Sequence, residues 1–353
     1  MSKRILITPL DWGLGHATRC IPIIKELLHQ NHQVMIASSG LALNLLKEEF
    51  PQLTFFQLPS YKATYARWLP LMLKVFWQSP FFFFVIRKEH AMVKQLVKDH
   101  RIDVVISDNR YGCYSKDIRS IFITHQLTIQ MPSGLIWLQS LINQVNHSLI
   151  KHFDACWVPD FPDQRLTGDL TEANIPKIFI GPVSRFSKNG SSRIKRFDLL
   201  ILLSGLEPQR TILENKIIQQ LKSYQGRVML VRGLPGIEAN TIVPFNNVSI
   251  VNHLKAEGLE QVIQESEIIV SRSGYTTLMD LYALESKAIF IPTPGQTEQE
   301  YLAEKLRQAN IIYSQHQDRF NLTEALDKAK TYTGFQQSES GRQYLLEAIS
   351  AMC

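Results

Sequence analysis

His16 stands in the loop Asp11-Trp12-Gly13-Leu14-Gly15-His16, directly after the apolar run Arg4 to Thr8 and at the start of an amphipathic segment. Gly13 and Gly15 allow the backbone to approach a ligand closely. A helix N-terminus disfavours an imidazolium, so a histidine placed there stays available as a base near neutral pH. Asp11, in the same loop, is the carboxylate at hand to orient or charge-balance it. A helix cap with no chemistry is the alternative for His16. The loop superficially suggests a dinucleotide fingerprint, but Thr18 stands where the third Gly or Ala belongs. The next apolar run ends Ala37-Ser38-Ser39-Gly40 without the acid that holds a ribose, so NAD is a poor fit.

Three further loops lie between apolar runs and helical patterns. In Ser204-Gly205-Leu206-Glu207-Pro208-Gln209-Arg210 a small residue and a glycine expose backbone N–H groups, and Arg210 adds a charge that forks onto phosphate oxygens. An ordinary turn with a surface arginine has the same composition. Ser271-Arg272-Ser273-Gly274 opens a helix on which Asp280 lies seven residues past Ser273, roughly 10 Å along the axis and on the same side. That distance suits an anion at the helix start and a ribose diol at Asp280. Thr293-Pro294-Gly295-Gln296-Thr297-Glu298-Gln299-Glu300 groups polar side chains that could bind sugar hydroxyls, or that complement the helix dipole.

The elements that must position these loops alternate along the chain. Strand-like runs at 33–37, 103–107 and 120–124 and a helix over about 17–30 fill the first half. The second half restarts with strands at 198–203, 227–231, 248–251, 268–271 and 288–292, and with helices at 210–221 and from about 276 and 298. This alternation predicts an α/β architecture of two doubly wound, Rossmann-like domains with a cleft between them. The expected boundaries are 1–183, a polar basic linker at 184–196, a second domain at 197–335, and a helix at 336–353 folding back onto the first. Ligands in such sheets sit beyond the carboxyl ends of the strands, where the four loops lie.

Composition removes several classes. The 353 residues are 45% hydrophobic and 20% charged, which is globular rather than disordered. The four cysteines, Cys20, Cys113, Cys156 and Cys353, are scattered without zinc-site spacing, as expected for a reducing cytosol and no structural metal. The first residues read as a strand rather than a signal peptide, and no apolar stretch reaches the ~20 residues of a spanning helix. No Asp-x-Asp pair offers a clamp for a diphosphate-bound metal. Arginines and helix ends would have to neutralise a leaving diphosphate instead.

Together these loops resemble the two-domain GT-B glycosyltransferases, and among them glycosyltransferase family 28, over most of the chain. The donor-site signature of that family is matched by Ser271 to Asp280 followed by Gln299-Glu300. The resemblance implies that Ser273 and Gly274 face a diphosphate, Asp280 a ribose, and Gln299 with Glu300 the donor sugar. The family usually has Glu and Gln in place of Asp280 and Glu300, which leaves the sugar open. Gly181-Pro182-Val183-Ser184-Arg185 is similar to the inter-domain motif and makes Arg185 a phosphate contact, while Leu254 is placed near the uracil. Gly13, Gly15 and the pair His125-Gln126 resemble acceptor-side motifs.

The expectation is an inverting, metal-independent transfer of a hexosyl or N-acetylhexosaminyl group from a UDP-sugar co-substrate to a hydroxyl acceptor, with no cofactor. His16 would take the proton, and Ser204, Gly205, Arg210, Arg185, Arg272, Ser273 and Gly274 would hold the diphosphate. Domain closure would exclude water. A nucleotide-sugar hydrolase of the same fold and a non-catalytic nucleotide-sugar binder are the rivals.

Tyr61 to Lys98 carries Lys62, Arg67, Lys74, Arg87, Lys88, Lys94 and Lys98 against Glu89, a surplus equal to the +6 of the whole chain. Interleaved Trp68, Trp77 and Phe81 to Phe84 suit a helix lying on an anionic membrane surface, which predicts a cytoplasmic protein peripheral to the membrane. Core-facing helices with solvated charges are the alternative. Nucleic acid is not expected, because the aromatics are not spaced as a stacking platform.

Overall fold

The computed structural model describes residues 2–61, 71–188, 193–205, 207–234, 246–336 and 341–352, with residues 71–80 described by their helical backbone. The chain divides into two units, one of residues 1–185 with 339–353 and one of residues 186–338.

The first unit begins with β1 (Arg4–Pro9), α1 (Gly15–His29), β2 (Gln33–Ser38), α2 (Gly40–Glu49) and β3 (Thr54–Gln57). After α3 (Leu71–His100) come β4 (Val104–Asp108), β5 (Arg119–Ile123), α4 (Gln139–Ile150), β6 (Ala155–Val158) and β7 (Ile178–Phe179). Among the described residues these strands form one parallel sheet in the order β3-β2-β1-β4-β5-β6-β7. The apolar runs have a simple cause, since both faces of each central strand are covered. Ile5 and Ile7 of β1 pack with Ile21, Ile24 and Leu27 of α1, while Leu6 points the other way onto Val93 and Val97 of α3. Each such side chain, fully buried, contributes on the order of 1.5–3 kcal/mol.

The second unit contains β8 (Phe197–Leu202), α5 (Gln209–Leu221), β9 (Val228–Val231), β10 (Val248–Val251), α6 (Ala256–Gln264) and β11 (Ser266–Ser271). It continues through α7 (Tyr275–Ala283), β12 (Ala288–Phe290), α8 (Thr297–Gln308), β13 (Tyr313–Ser314) and α9 (Leu322–Ala329). Its sheet is also parallel, ordered β10-β9-β8-β11-β12-β13. The last helix, α10 (Arg342–Met352), returns to the first unit, where Leu345, Ala348, Ile349 and Met352 join the core built by β1 and α1. Gly181 makes room for it: a Cβ there would lie 2.3 Å from the Gly341 carbonyl oxygen, and its φ is +70°.

Each sheet reverses its winding once, between β1 and β4 in the first unit and between β8 and β11 in the second. Open α/β sheets bind ligands at such switch points, beyond the carboxyl ends of the strands. His16 follows β1, Asp108 ends β4, Ser204 and Gly205 follow β8, and Ser273 and Gly274 follow β11.

Candidate active site

In the first unit, Gly13 turns the chain after β1 at φ +73°, and α1 starts at Gly15. His16 sits in the first turn with its side chain 15% exposed. Its Nδ1 lies 2.9 Å from Oδ1 of Asp108, which is fully buried at the end of β4. The carboxylate beside His16 is therefore Asp108 and not Asp11, which lies 3.4 Å from the Arg110 guanidinium. The cause is register: β1 pairs with β4 so that Pro9 stands beside Asp108, and the first turn of α1 passes over that strand end.

Two more residues complete the cluster. Arg19, 1% exposed on α1, donates from Nε to Asp108 Oδ2 at 2.5 Å and from Nη2 to Oδ1. Its Nη1 lies 2.8 Å from Nδ1 of His125, which is buried just beyond β5. The Cys20 thiol approaches Asp108 Oδ2 at 3.6 Å. Burial pushes His16 below the ordinary histidine value, helped by the Arg19 charge and opposed by Asp108. Burial works to raise Asp108, but Arg19 and His16 outweigh it and hold its carboxyl well below the usual range. The structure thus assembles a largely buried imidazole, its proton affinity held low, backed by a fixed carboxylate, an arrangement that can accept a proton from a hydroxyl. The backbone N–H of Gln126 turns back to Thr124 Oγ1 at 3.0 Å, and its carbonyl accepts from Asn146 at 3.3 Å.

Behind this cluster a second buried pair braces the loop. Arg110 and Glu89 meet at 2.5 Å with both side chains fully buried, and Tyr61 donates to Glu89 at 2.6 Å. Gly112 is needed there, because a Cβ would lie 2.2 Å from the Ile86 carbonyl oxygen and 2.7 Å from Glu89 Cβ. Glu89, read from sequence as the one acid of a basic surface segment, is an anchor that ties α3 to the strand ends.

In the second unit the loops after β11 and β12 come together. Ser273, fully buried, donates from Oγ to the Gln299 carbonyl at 2.7 Å, and Gln299 Oε1 accepts from the Thr293 backbone at 2.9 Å. Glu300 accepts from the Gly295 backbone at 3.0 Å, and Gln299 Nε2 lies 4.0 Å from where a Cβ of Gly274 would be. Gly274 caps α7 without a side-chain cap, and Asp280 lies 7% exposed farther along that helix. Gly205 has φ +98°, and Leu254 is half-buried between β10 and α6. Leu206 lies outside the described residues.

The arginines depart from expectation. Arg272 is 1% exposed and spends its guanidinium on the carbonyls of Ile291, Pro292 and Gln209 and on Gln317 Oε1. Burial pulls its pKa down to about 10. It braces loops and does not present a charge to a ligand. Arg210, 4% exposed, is already balanced by Glu207 and Glu214, each at 2.6 Å. Arg185 is half-buried at the end of the first unit.

The basic aromatic segment divides along α3. Phe82 packs against Trp12 and Tyr61, and Val85, Val93 and Val97 are buried. Phe81, Phe83 and Phe84 remain 40%, 48% and 62% exposed, near exposed Arg87 and Lys88 in sequence. Lys62, Arg67, Trp68 and Leu69 lie outside the described residues, as do the side chains of 71–80, including Lys74 and Trp77. Among the described residues no helix is long and apolar enough to cross a membrane, and no group of acids, histidines and cysteines could hold a metal ion.

Residues 3–189, just over half of the chain, match the model described as glycosyl transferase family 1, and residues 210–347 match the glycosyltransferase family 28 C-terminal domain. A UDP-N-acetylglucosamine–N-acetylmuramyl-(pentapeptide) pyrophosphoryl-undecaprenol N-acetylglucosamine transferase of Haemophilus ducreyi is 21% identical over 94% of this chain and 95% of its own. The solved glycotransferase of kitacinnamycin covers the whole chain and 99% of its own with a TM-score of 0.68 at 15% identity. Spinosyn rhamnosyltransferase SpnG, complexed with thymidine diphosphate, covers 99% and 95% with a TM-score of 0.61 at 12% identity. Two Rossmann-like units with these matches make the chain a GT-B glycosyltransferase, belonging to glycosyl transferase family 1 over its first half and carrying the family 28 C-terminal domain over its second.

Proposed function

We propose that the protein transfers a hexosyl or N-acetylhexosaminyl group from a UDP-sugar to a hydroxyl acceptor, with inversion and without a metal. The observation that carries the reading is the His16–Asp108 pair at the switch point of the first sheet, a base with a fixed carboxylate behind it. His16 Nε2 takes the acceptor proton as the acceptor oxygen bonds to the anomeric carbon. The bond from that carbon to the diphosphate breaks, and UDP leaves carrying the electron pair. In the second unit the start of α7 at Ser273 and Gly274, with the Ser204-Gly205 loop, would receive the diphosphate. Asp280 would take the ribose, Leu254 the uracil, and Gln299 with Glu300 the sugar. Arg185 would contribute to holding the diphosphate, as the likeness of Gly181-Pro182-Val183-Ser184-Arg185 to the inter-domain motif implies.

The acceptor we propose is presented at an anionic membrane surface. Exposed Phe81, Phe83 and Phe84 beside Arg87 and Lys88 support this, as does the pyrophosphoryl-undecaprenol in the name of the Haemophilus relative.

Calorimetric titration against UDP, GDP and ADP, with UDP-N-acetylglucosamine and UDP-glucose, tests the donor half. UDP should bind in preference, Asp280→Ala should weaken it, and His16→Ala should keep UDP affinity while losing turnover. Absence of binding to every nucleotide would overturn the reading, and a strict Mg²⁺ requirement for chemistry would overturn the metal-free step.

A further inference from the structure

Asp108 raises a problem that the base reading alone does not solve. A buried, ionised carboxylate 2.9 Å from an imidazole attracts a proton to it, and a protonated His16 is no base. Burial disfavours that charge, and a further group beside the carboxylate offsets its pull. Resting on the base reading above, we propose that Arg19 is a positioning residue for His16: it neutralises and fixes Asp108 and ties the His125 ring to the same cluster.

Arg19 lies three residues after His16 on α1, so both side chains share one helix face. Its Nε and Nη2 fork onto both Asp108 oxygens, a two-bond geometry that lysine cannot reproduce. The fork sets the carboxylate plane and supplies the charge that offsets it. The same Nη2 lies 2.9 Å from His16 Nδ1, so positive charge faces the ring as well.

Proton positions follow from donor and acceptor inventory. A guanidinium only donates, so His125 Nδ1, 2.8 Å from Nη1, must offer a lone pair and the neutral ring carries its proton on Nε2. At His16, Nδ1 is shared between a donor, Arg19, and an acceptor, Asp108. Nη2 has two hydrogens and places one on Oδ1, but an ionised carboxylate only accepts, so the 2.9 Å contact between His16 and Asp108 is a hydrogen bond only with the proton on Nδ1. A proton on Nδ1 directed at Oδ1 therefore satisfies the carboxylate and leaves the lone pair on Nε2, where a base needs it. The groups facing His16 are Asp108 from β4, Arg19 and, beyond the carboxylate, Cys20 from α1, and His125 from beyond β5.

Histidine ¹⁵N spectra of the full-length protein, titrated over about pH 5 to 8 without substrate, test this directly. Wild-type His125 should carry its proton on Nε2 and neutral His16 on Nδ1. In Arg19→Met the proton affinity of His16 should rise about tenfold or more, and the acid limb of kcat should move to higher pH by the same amount. UDP affinity should stay at the wild-type value. Arg19→Lys, which keeps the charge without the fork, should shift less. A proton on Nδ1 of wild-type His125 overturns the proposal, and so does a His16 affinity within about twofold of wild type in either folded variant. If Arg19→Met does not fold, the wild-type tautomers and Arg19→Lys decide. Undiminished turnover in His16→Ala would instead remove the base assignment and leave the spectra to judge Arg19.

Discussion

Asp108→Asn keeps the volume of the buried side chain and removes its charge, so its cost can be worked from distances. When His16 becomes an imidazolium, its charge lies about 4 Å from the carboxylate charge, worth about 4 kcal/mol at an effective dielectric constant of about 20. Arg19 Nη2 is as close to Nδ1 as Asp108 is, but its repulsion is present in wild type and variant alike and cancels from the difference. A loss of about 4 kcal/mol follows, or roughly a thousandfold in kcat. An amide NH₂ turned toward Nδ1 would also favour the wrong tautomer, so this is a lower bound. Arg19, 1% exposed, would lose its counter-charge, costing on the order of 3 kcal/mol of stability. The assay is steady-state turnover at fixed donor, corrected for the folded fraction from urea unfolding. UDP affinity serves as the control, because the proposed nucleotide loops belong to the other unit. A folded variant with kcat within about tenfold of wild type would refute the reasoning.

Lowering the pH protonates His16 and stops it acting as a base, and burial places that titration below the ordinary histidine value. The acid limb of kcat should accordingly fall below about pH 6.5; a limb at or above it would contradict the environment described. Gly112→Ala places a Cβ against the Ile86 carbonyl and Glu89, so α3 must shift and the Glu89–Arg110 pair must open. Urea unfolding should show a loss of about 3 kcal/mol or more, and a loss under about 1 kcal/mol would mean that α3 is not held there. Phe83→Glu with Phe84→Glu should reduce sedimentation with anionic vesicles several-fold while leaving urea unfolding unchanged, since both rings are exposed; undiminished vesicle binding would remove these rings from the membrane contact.

The parallel strands were legible because sheets covered on both faces require continuous apolar runs, and β1, β8 and β10 lie at or within one residue of where those runs stand. Short strands such as β7 and β13, with two residues each, carry no such run. His16 was visible because the glycine turn marks it. Asp108 was not, because it meets His16 across 92 residues. One signal did exist: Val104-Val105-Ile106-Ser107-Asp108 is an apolar run that ends in an acid at its carboxyl end. Arg19 was hidden differently. An arginine on an amphipathic helix reads as solvent-facing, and only the carboxylate and imidazole supplied by other elements make its burial tolerable. The same bias made Arg210 and Arg272 look available, although Glu214, four residues after Arg210, was a visible partner.

The return of α10 to the first unit carries a consequence for synthesis. A nascent chain emerges at ~5–20 residues per second, and domains fold as they appear. The first 185 residues leave the ribosome without Leu345, Ala348, Ile349 and Met352, which complete their core, and the whole second unit is made before those four arrive. For roughly 8–30 s at that rate the surface of α1 that α10 covers stays uncovered. The second unit, continuous in sequence from 186 to 338, has every piece it needs as soon as it is out. The unit translated first is therefore the last to be finished: a chain truncated before residue 342 would hold a continuous second unit attached to a first unit short of four core side chains.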